Sequence, residues 1–477
     1  MSDDIKKPRQ EYSDQLPSLE LNRLAIGGAR PVKASGVKCL EPLASMKATT
    51  CYDEQGMSTT TYGEQLTAKG RSDYNKYLDN ATFIGFTGQT VTGLKGLIKS
   101  KPAVHDIPTA LEFILEDADG AGTSLDNLAD LCTSEAFPSI RQALLITAPE
   151  TDGTNSRLDD ENNNIRPKMA HYTQESIINW HYEVVKNKLQ LAMVVLKESK
   201  SVRDGFEVKV ESQYRHLALI DGIYQQELRN KDNEIVEPMS PVLMNGKTIN
   251  RIPLRVAITG SNNKSVIDDM VDANMLHYKV RADHGNLLHQ SAFPVFYETG
   301  VVNGESANGS IGPGVKWEGG SEASFGVIQI DANKCSHPKE LKDIESNLSN
   351  LGADMLKESK AAESGEAKRL DKVSSNSTTI DLANCVSDMI SETLQDISDI
   401  WGTGEEVSYR LNTDYDPSHL DYQMIAAIGD IWERGLIDKE EAQYNLKQGE
   451  VIRADRDIEE MNKNIDSEES GLNGGDE

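Results

Sequence analysis

The stretch from Lys264 to Gln290, KSVIDDMVDANMLHYKVRADHGNLLHQ, decides how the rest of the chain is read. Apolar side chains recur at Val266, Met270, Ala273, Leu276, Val280 and Leu287, in steps mostly of three or four. That is the period of one helix face, and it predicts a helix about 40 Å long at ~1.5 Å per residue. Two strands are expected next, at Phe293 to Gly300 and Ser324 to Ile330, around the turn-rich Ile311 to Trp317. A second helix opens at Pro338 and carries Leu341, Ile344, Leu348, Leu351 and Met355, spaced 3, 4, 3, 4. Such a seam asks for a partner helix. The polar, glycine-containing Ser359 to Glu366 then precedes a third helix. Leu382, Val386, Ile390, Leu394, Ile397 and Trp401 give that helix one apolar face, whereas Asp371 to Thr379 is too polar for a core.

Around this centre, 477 residues allow a substantial core and two to four domains. The fold class expected is α+β. No run of about 18 apolar residues predicts a membrane span, and Met1 to Lys7 lacks the apolar stretch of a secretory signal. Cys39, Cys51, Cys132, Cys335 and Cys385 are scattered and never in CxxC spacing, which suits reduced thiols of a cytoplasmic product. The formal charge of −28 disfavours tight nonspecific binding of nucleic acid. It is compatible with DNA that slides past without being held, because each phosphate contact would add friction.

Taken in order, residues 1 to 60 read as a partly flexible arm with helical patches near Leu19 to Leu24 and Lys33 to Leu43. Two helices are expected between Tyr62 and Ile98, with Gly85, Gly88, Gly93 and Gly96 signalling close backbone packing. A short helix follows at Thr109 to Leu115. Thr123 and Asp126 look like a capping box for a helix through Leu131, with helical structure continuing to Leu145. The Asp- and Asn-rich Pro149 to Pro167 reads as a surface loop. A β-rich block covers Leu189 to Leu196, Phe206 to Val210, Tyr214 to Ile220, Gly222 to Arg229 and Ile252 to Ile258. Turn signals at Asp221-Gly222 and Asn245-Gly246 favour antiparallel pairing. Past the third helix come a strand at Val407 to Leu411, helices at Tyr422 to Trp432 and Asp438 to Leu446, and an acidic tail.

Candidate chemistry is sparse. Gly88 to Lys95 approaches a phosphate loop, but Leu94 stands where the lysine is needed and no hydroxyl follows it. Asp117-Ala118-Asp119-Gly120 departs from a calcium loop in its glycine position and lacks the closing glutamate, so a turn before a capped helix fits better. His277, His284 and His289 share the first long helix with Asp283. Solvated or interface histidines account for them more simply than a metal site. Neither a GxSxG elbow nor a dinucleotide motif in strand–helix context is present, and no catalytic group, cofactor or metal is expected.

A set of local stretches in fixed order resembles the portal proteins of tailed bacteriophages. They are Leu115 to Gly120, Tyr172 to Trp180, Asn245-Gly246 with Ile252-Pro253, Leu276-His277-Tyr278, Ile311 to Gly314 with Trp317, and Leu411 to Tyr415. The resemblance spans about Tyr62 to Leu446; the first 60 residues and the tail match poorly.

It implies a wing over 61–263, stem helices at 264–290 and 338–358, and a clip over 291–337. It further implies a tunnel loop at 359–366, a tunnel helix at 367–402, a wing strand return at 403–417, crown helices at 418–463 and a disordered tail at 464–477. Lys357, Lys360, Glu363, Gly365, Glu366, Lys368 and Arg369 would then face the channel. Gly312, Pro313, Gly314, Lys316 and Trp317 would dock the terminase and then the adaptors. Leu341, Ile344, Leu348, Leu351 and Met355 would pack the stem.

The implied product is a non-enzymatic ring, a dodecamer in the family's usual form, at one capsid vertex of the virion. Its implied partners are the terminase large subunit, head-to-tail adaptor and tail proteins, the major capsid protein, a scaffolding protein and double-stranded DNA in transit, with no membrane. The other readings are a cytoplasmic metal-dependent hydrolase near Asp283 and His284, or a different capsid-associated adaptor or scaffold.

Overall fold

The computed structural model describes residues 4–52, 58–62, 66–147, 166–185, 187–291, 295–299, 324–328, 336–352, 365–413, 415, 422–448, 451–452, 456 and 461–463. The chain is α+β and divides into two units, Met1–Thr413 and Asp414–Glu477.

The larger unit opens with helix α1 (Gln10–Gly27), then α2 (Ala29–Ala34) and the hairpin β1 (Ala48–Tyr52) with β2 (Ser58–Tyr62). Helices α3 (Ala68–Asn80) and α4 (Phe86–Ile98) follow, divided where expected. The start of the chain therefore departs from the flexible arm. Leu19, Asn22 and Ala25 of α1 are buried, and the Asn22 amide donates to Asp268 Oδ1 (2.7 Å) and Pro138 O (3.0 Å). Upstream, the Arg9 amide donates to Ile178 O. The guanidinium planes of Arg9 and Arg141 lie over the Trp180 ring, at 4.8 Å and 3.8 Å. An aromatic ring in contact with two cations anchors a segment that composition alone marks as loose. One glycine of the Gly-rich stretch explains its own presence: a Cβ on Gly88 would meet Ile26 O of α1 at 2.8 Å, whereas Gly96 has open space.

Strand β3 (Val104–Asp106) and helices α5 (Phe113–Glu116) and α6 (Leu125–Ala136) come next. The cap of α6 is Ser124, whose Oγ accepts from the Asn127 amide, and not Thr123. Asp117 and Asp119 are turn-formers. Asp117 Oδ1 accepts from the Gly120 and Gly122 amides, and Asp119 Oδ1 from those of Ala121 and Thr123. Beyond α6 the helix expected to reach Leu145 is replaced by a strand, β4 (Arg141–Thr147). Pro138 interrupts the helix, and the run Ala143-Leu144-Leu145-Ile146 suits a strand covered on both faces. β4 is the middle of a three-stranded antiparallel sheet, between β5 (Lys168–Tyr172) and the later β13 (Leu254–Ile258).

Between them runs a five-stranded antiparallel meander: β6 (Ile177–Val185), β7 (Lys188–Asp204), β8 (Glu207–Ile220), β9 (Ile223–Asn230) and β10 (Ile235–Pro241). Asp221 and Gly222 both take positive φ, as do Asn245 and Gly246 in the small hairpin β11 (Leu243–Met244) and β12 (Lys247–Thr248). Those are the tight hairpin turns anticipated from their sequence. β8 is one continuous strand through Glu211 to Gln213, where two were expected.

After the sheet come α7 (Asp268–Ser291), the paired strands β14 (Val295–Thr299) and β15 (Ser324–Ile328), α8 (His337–Asn350), the long α9 (Gly365–Trp401) and β16 (Ser408–Arg410). β16 returns to pair with β3. The core of this unit forms where α9 lies on β4 and β13 beside α6. Leu382, Val386, Ile390, Leu394 and Ile397 are buried there, at the spacing read from the sequence, with Ala383 beside them. Trp401 is only half-buried at the helix end. The smaller unit contains α10 (Tyr422–Glu433) and α11 (Lys439–Gln448), which pack on each other.

Candidate functional site

The elements singled out by the sequence are α7, α8 and α9. Helices α7 and α8 run antiparallel: His277 meets Glu345 at 3.3 Å and the His284 ring lies 5.9 Å from that of His337. Between them Met270, Val280, Leu341, Ile344 and Leu348 form one buried cluster, flanked by Phe86 and Ala273. The seam stops sooner than its spacing suggests. α8 ends at Asn350, and Leu351 is the exposed capping residue (44%), so it packs no stem. Gly352 follows at φ +124°, a backbone conformation that glycine tolerates and that takes the chain off the helix. Met355 lies outside the described residues.

The apolar face of α7 also shifts. Leu276 is exposed at 48%, on a stripe with Asp269, Asp272 and Lys279, while Ile267, Val271, Met275 and Tyr278 are buried. The cause is that α7 is covered on two sides, by α8 and by α1, α3 and α4. A helix in that position buries residues between the rungs of a single-face pattern. Asn274 is wholly buried and fixes the register of α7. Its Oδ1 accepts from Thr87 N and Oγ1, and its Nδ2 donates to Ile84 O at 2.8 Å. Buried amides such as Asn274 and Asn22 leave no periodic trace in a sequence, so nothing in the chain's pattern marks them.

His277 is not solvated. Its side chain is fully buried, edge-on to Phe86 at 5.2 Å, with Nε2 toward Glu345. Burial lowers its pKa, Glu345 opposes that shift and Arg281 adds to it. The sign follows directly. Below the ordinary histidine value of about 6.5, the unfolded chain takes up a proton that the folded chain refuses, so acid favours unfolding. The urea midpoint is expected to fall between pH 7.5 and 5.5, and a His277→Gln variant to fall less steeply. His171 and His216, half-buried and also with lowered pKa, keep some slope in both proteins. Equal slopes for parent and variant would remove His277 from the account.

α9 is held by charge as well as by apolar packing. Asp396, almost wholly buried, accepts from Arg251 (2.5 Å) and from both Nε and Nη2 of Arg255 (2.7 and 2.8 Å). The hydrogen bond to Asp396 is the main reason that the Arg255 pKa is raised. Ser391 Oγ donates to Tyr409 O and accepts from Tyr409 N, and Tyr409 OH donates to Asp126.

Of the residues read as facing a channel, Gly365, Glu366, Lys368 and Arg369 have their backbones in the first turns of α9. Gly365 and Glu366 are thus helical, although the expected loop runs over 359–366. Lys357, Lys360 and Glu363, with the rest of that loop, lie outside the described residues. So do Gly312, Pro313, Gly314, Lys316 and Trp317; the flanking β14 and β15 pair with Val295 opposite Ile328 and Thr299 opposite Ser324.

Among the described residues no group of three or more His, Cys, Asp and Glu side chains is placed to hold a metal ion. None of their helices is long and apolar enough to cross a membrane. An open cleft of about 470 Å³ is lined by Asp106, Gln395, Glu406, Val407 and Ser408. A second of about 240 Å³ has Glu227 and His216 in its lining, but Glu227 is already bonded to Arg229 at 2.8 Å.

A family described only as a domain of unknown function, DUF4055, matches residues 267–399, the span from the threshold of α7 almost to the end of α9. No curated protein matches the chain. Among solved structures, a chain in the neck of a native GTA particle, computed with C12 symmetry, is similar at a TM-score of 0.36 and 11% identity. The likeness covers 76% of this chain and 90% of that one.

Proposed function

We propose that this chain is a portal subunit of a tailed phage or phage-like particle, a non-enzymatic component that forms a ring around a DNA channel. The observation that carries the reading is the succession α7, strand pair, α8, α9. An antiparallel helix pair with an apolar seam is joined at one end by paired strands and followed by a single helix of 37 residues. This is the order that the sequence resemblance asks of stem, clip, stem and tunnel helix. The 24 residues of α7 give a rod of about 36 Å at ~1.5 Å per residue, long enough to wall a channel.

On this reading about twelve copies close head to tail, the usual number for such rings. The strand pair faces the terminase and later the adaptors, the outer body meets capsid and scaffolding protein, and DNA passes through the centre. The formal charge of −28 per copy supports passage over retention, since a ring concentrates the acidity of all its subunits around the path.

The test is direct. Negative-stain images of the purified full chain are expected to show closed rings with a central hole. A strictly monomeric protein across salt, pH and concentration would overturn the reading.

A further inference from the structure

The five-stranded sheet has one blunted edge and two open stretches. Its β10 edge carries Pro238 and Pro241 and two register shifts against β9, devices that prevent another strand from adding there. The opposite edge is β6. Its first half is covered, because Ile178 O and Trp180 O accept from Arg9. Its second half, His181 to Val185, is exposed throughout and, among the described residues, pairs only with β7. The second open stretch is on β8. Among the described residues, Glu207 to Ser212 pair with β7 alone, since β9 joins β8 only from Gln213 onward. With the end of β7 they form a two-stranded ribbon closed by a Gly205-Phe206 turn, Gly205 taking φ +62°.

The two open stretches match each other. Each alternates apolar and charged side chains: Tyr182 and Val184 beside His181 and Glu183 on β6, Val208 and Val210 beside Lys209 and Glu211 on β8. Val184, Val208 and Val210 are exposed at 71%, 65% and 68%, which a monomer leaves without cover. Laid antiparallel, Glu183 falls opposite Lys209, His181 opposite Glu211, Val184 opposite Val208 and Tyr182 opposite Val210. Opposite charges and apolar pairs facing each other are the combinations that stabilise a strand pair. Among the described residues these charges have weak partners, His181 with Glu183 (3.6 Å) and Lys209 with Asp204 (3.2 Å), all more than half exposed.

Within one chain the match cannot be used. The two stretches lie on opposite sides of β7, and the β7 partners of Glu183 and Lys209, Gln190 and Val202, are about 40 Å apart along it at ~3.3 Å per residue. We propose that the β8 stretch of one copy adds as a strand to the β6 edge of the next copy, a head-to-tail contact between subunits. Two different surfaces facing opposite ways make a heterologous interface, which repeats around a ring when its rotation closes. The proposal rests on the ring reading above and names its contact.

The experiment uses the full-length chain. Glu183→Lys alone and Lys209→Glu alone each place like charges opposite each other, and each is expected to lose the ring species in light scattering and images. The double variant restores the opposition with signs exchanged and is expected to recover it. Both substituted positions are exposed, so circular dichroism of the monomers should match the parent. A Glu183→Cys, Lys209→Cys variant should give, on mild oxidation, a ladder of disulfide-linked multimers that neither single cysteine variant gives. Rings that form equally in both charge-reversed variants, or paired cysteines that link no copies, overturn this contact and leave the portal reading standing. A parent chain that forms no rings overturns both.

Discussion

Replacing Asp396 with alanine is expected to destabilise the larger unit by about 2–4 kcal/mol, the range for removing one partner from a buried ion pair, discounted for exposure. The carboxylate is 4% exposed and is the only one of the three groups that is out of water; Arg251 and Arg255 are exposed at 36% and 34%. Both guanidiniums keep a weaker partner, Asp399 at 3.7 Å and Glu392 at 2.9 Å, which limits the loss. The urea midpoint of the Asp396→Ala variant reads this directly. A loss below about 0.5 kcal/mol, the range of ordinary surface changes, would mean that apolar contacts alone seat α9 on β13.

Truncation of the α7–α8 seam should separate two leucines that the heptad pattern treats alike. Leu348→Ala removes a side chain that is 1% exposed inside the cluster and is expected to cost about 2–4 kcal/mol. Leu351→Ala, at the exposed end of α8, should cost less than about 1 kcal/mol. Denaturation of both variants under one condition checks the contrast. Similar losses at the two positions would show that the seam continues past the end of α8 and that the capping geometry at Gly352 is misread.

How much of this was legible in the sequence depended on whether one force or several acted on a segment. Where one face is buried and the other wet, as in the buried half of α9 or in Leu341, Ile344 and Leu348, the period alone finds the burial. Hairpin turns at Asp221-Gly222 and Asn245-Gly246 were equally readable, because few residue pairs accept positive φ twice. β4 was not. Five consecutive buried residues from Gln142 to Ile146 have no alternation to betray a strand, and the preceding helical pattern runs into them. α1 was legible only in part, for a different reason: expected only as a helical patch near Leu19 to Leu24 in a loose arm, it runs from Gln10 to Gly27 and is docked. Its cover comes from Asp268, Pro138 and Trp180, all more than a hundred residues away, so its local composition looks like that of a loose arm. The residues expected to touch DNA or a motor rest on resemblance and position, and most lie outside the described residues.

The return of β16 to β3 has a consequence for synthesis. Tyr409 donates to Asp126, 283 residues earlier, and α9 covers a sheet whose middle strand left the ribosome some 240 residues before. Loop closure over such distances comes late, and sheets built on distant pairings fold slowly. An incomplete chain thus lacks the element that seals its body until nearly the whole of Met1–Thr413 has emerged. Nascent fragments therefore cannot present the finished surface of this unit, and under the ring proposed above only complete copies would be recruited.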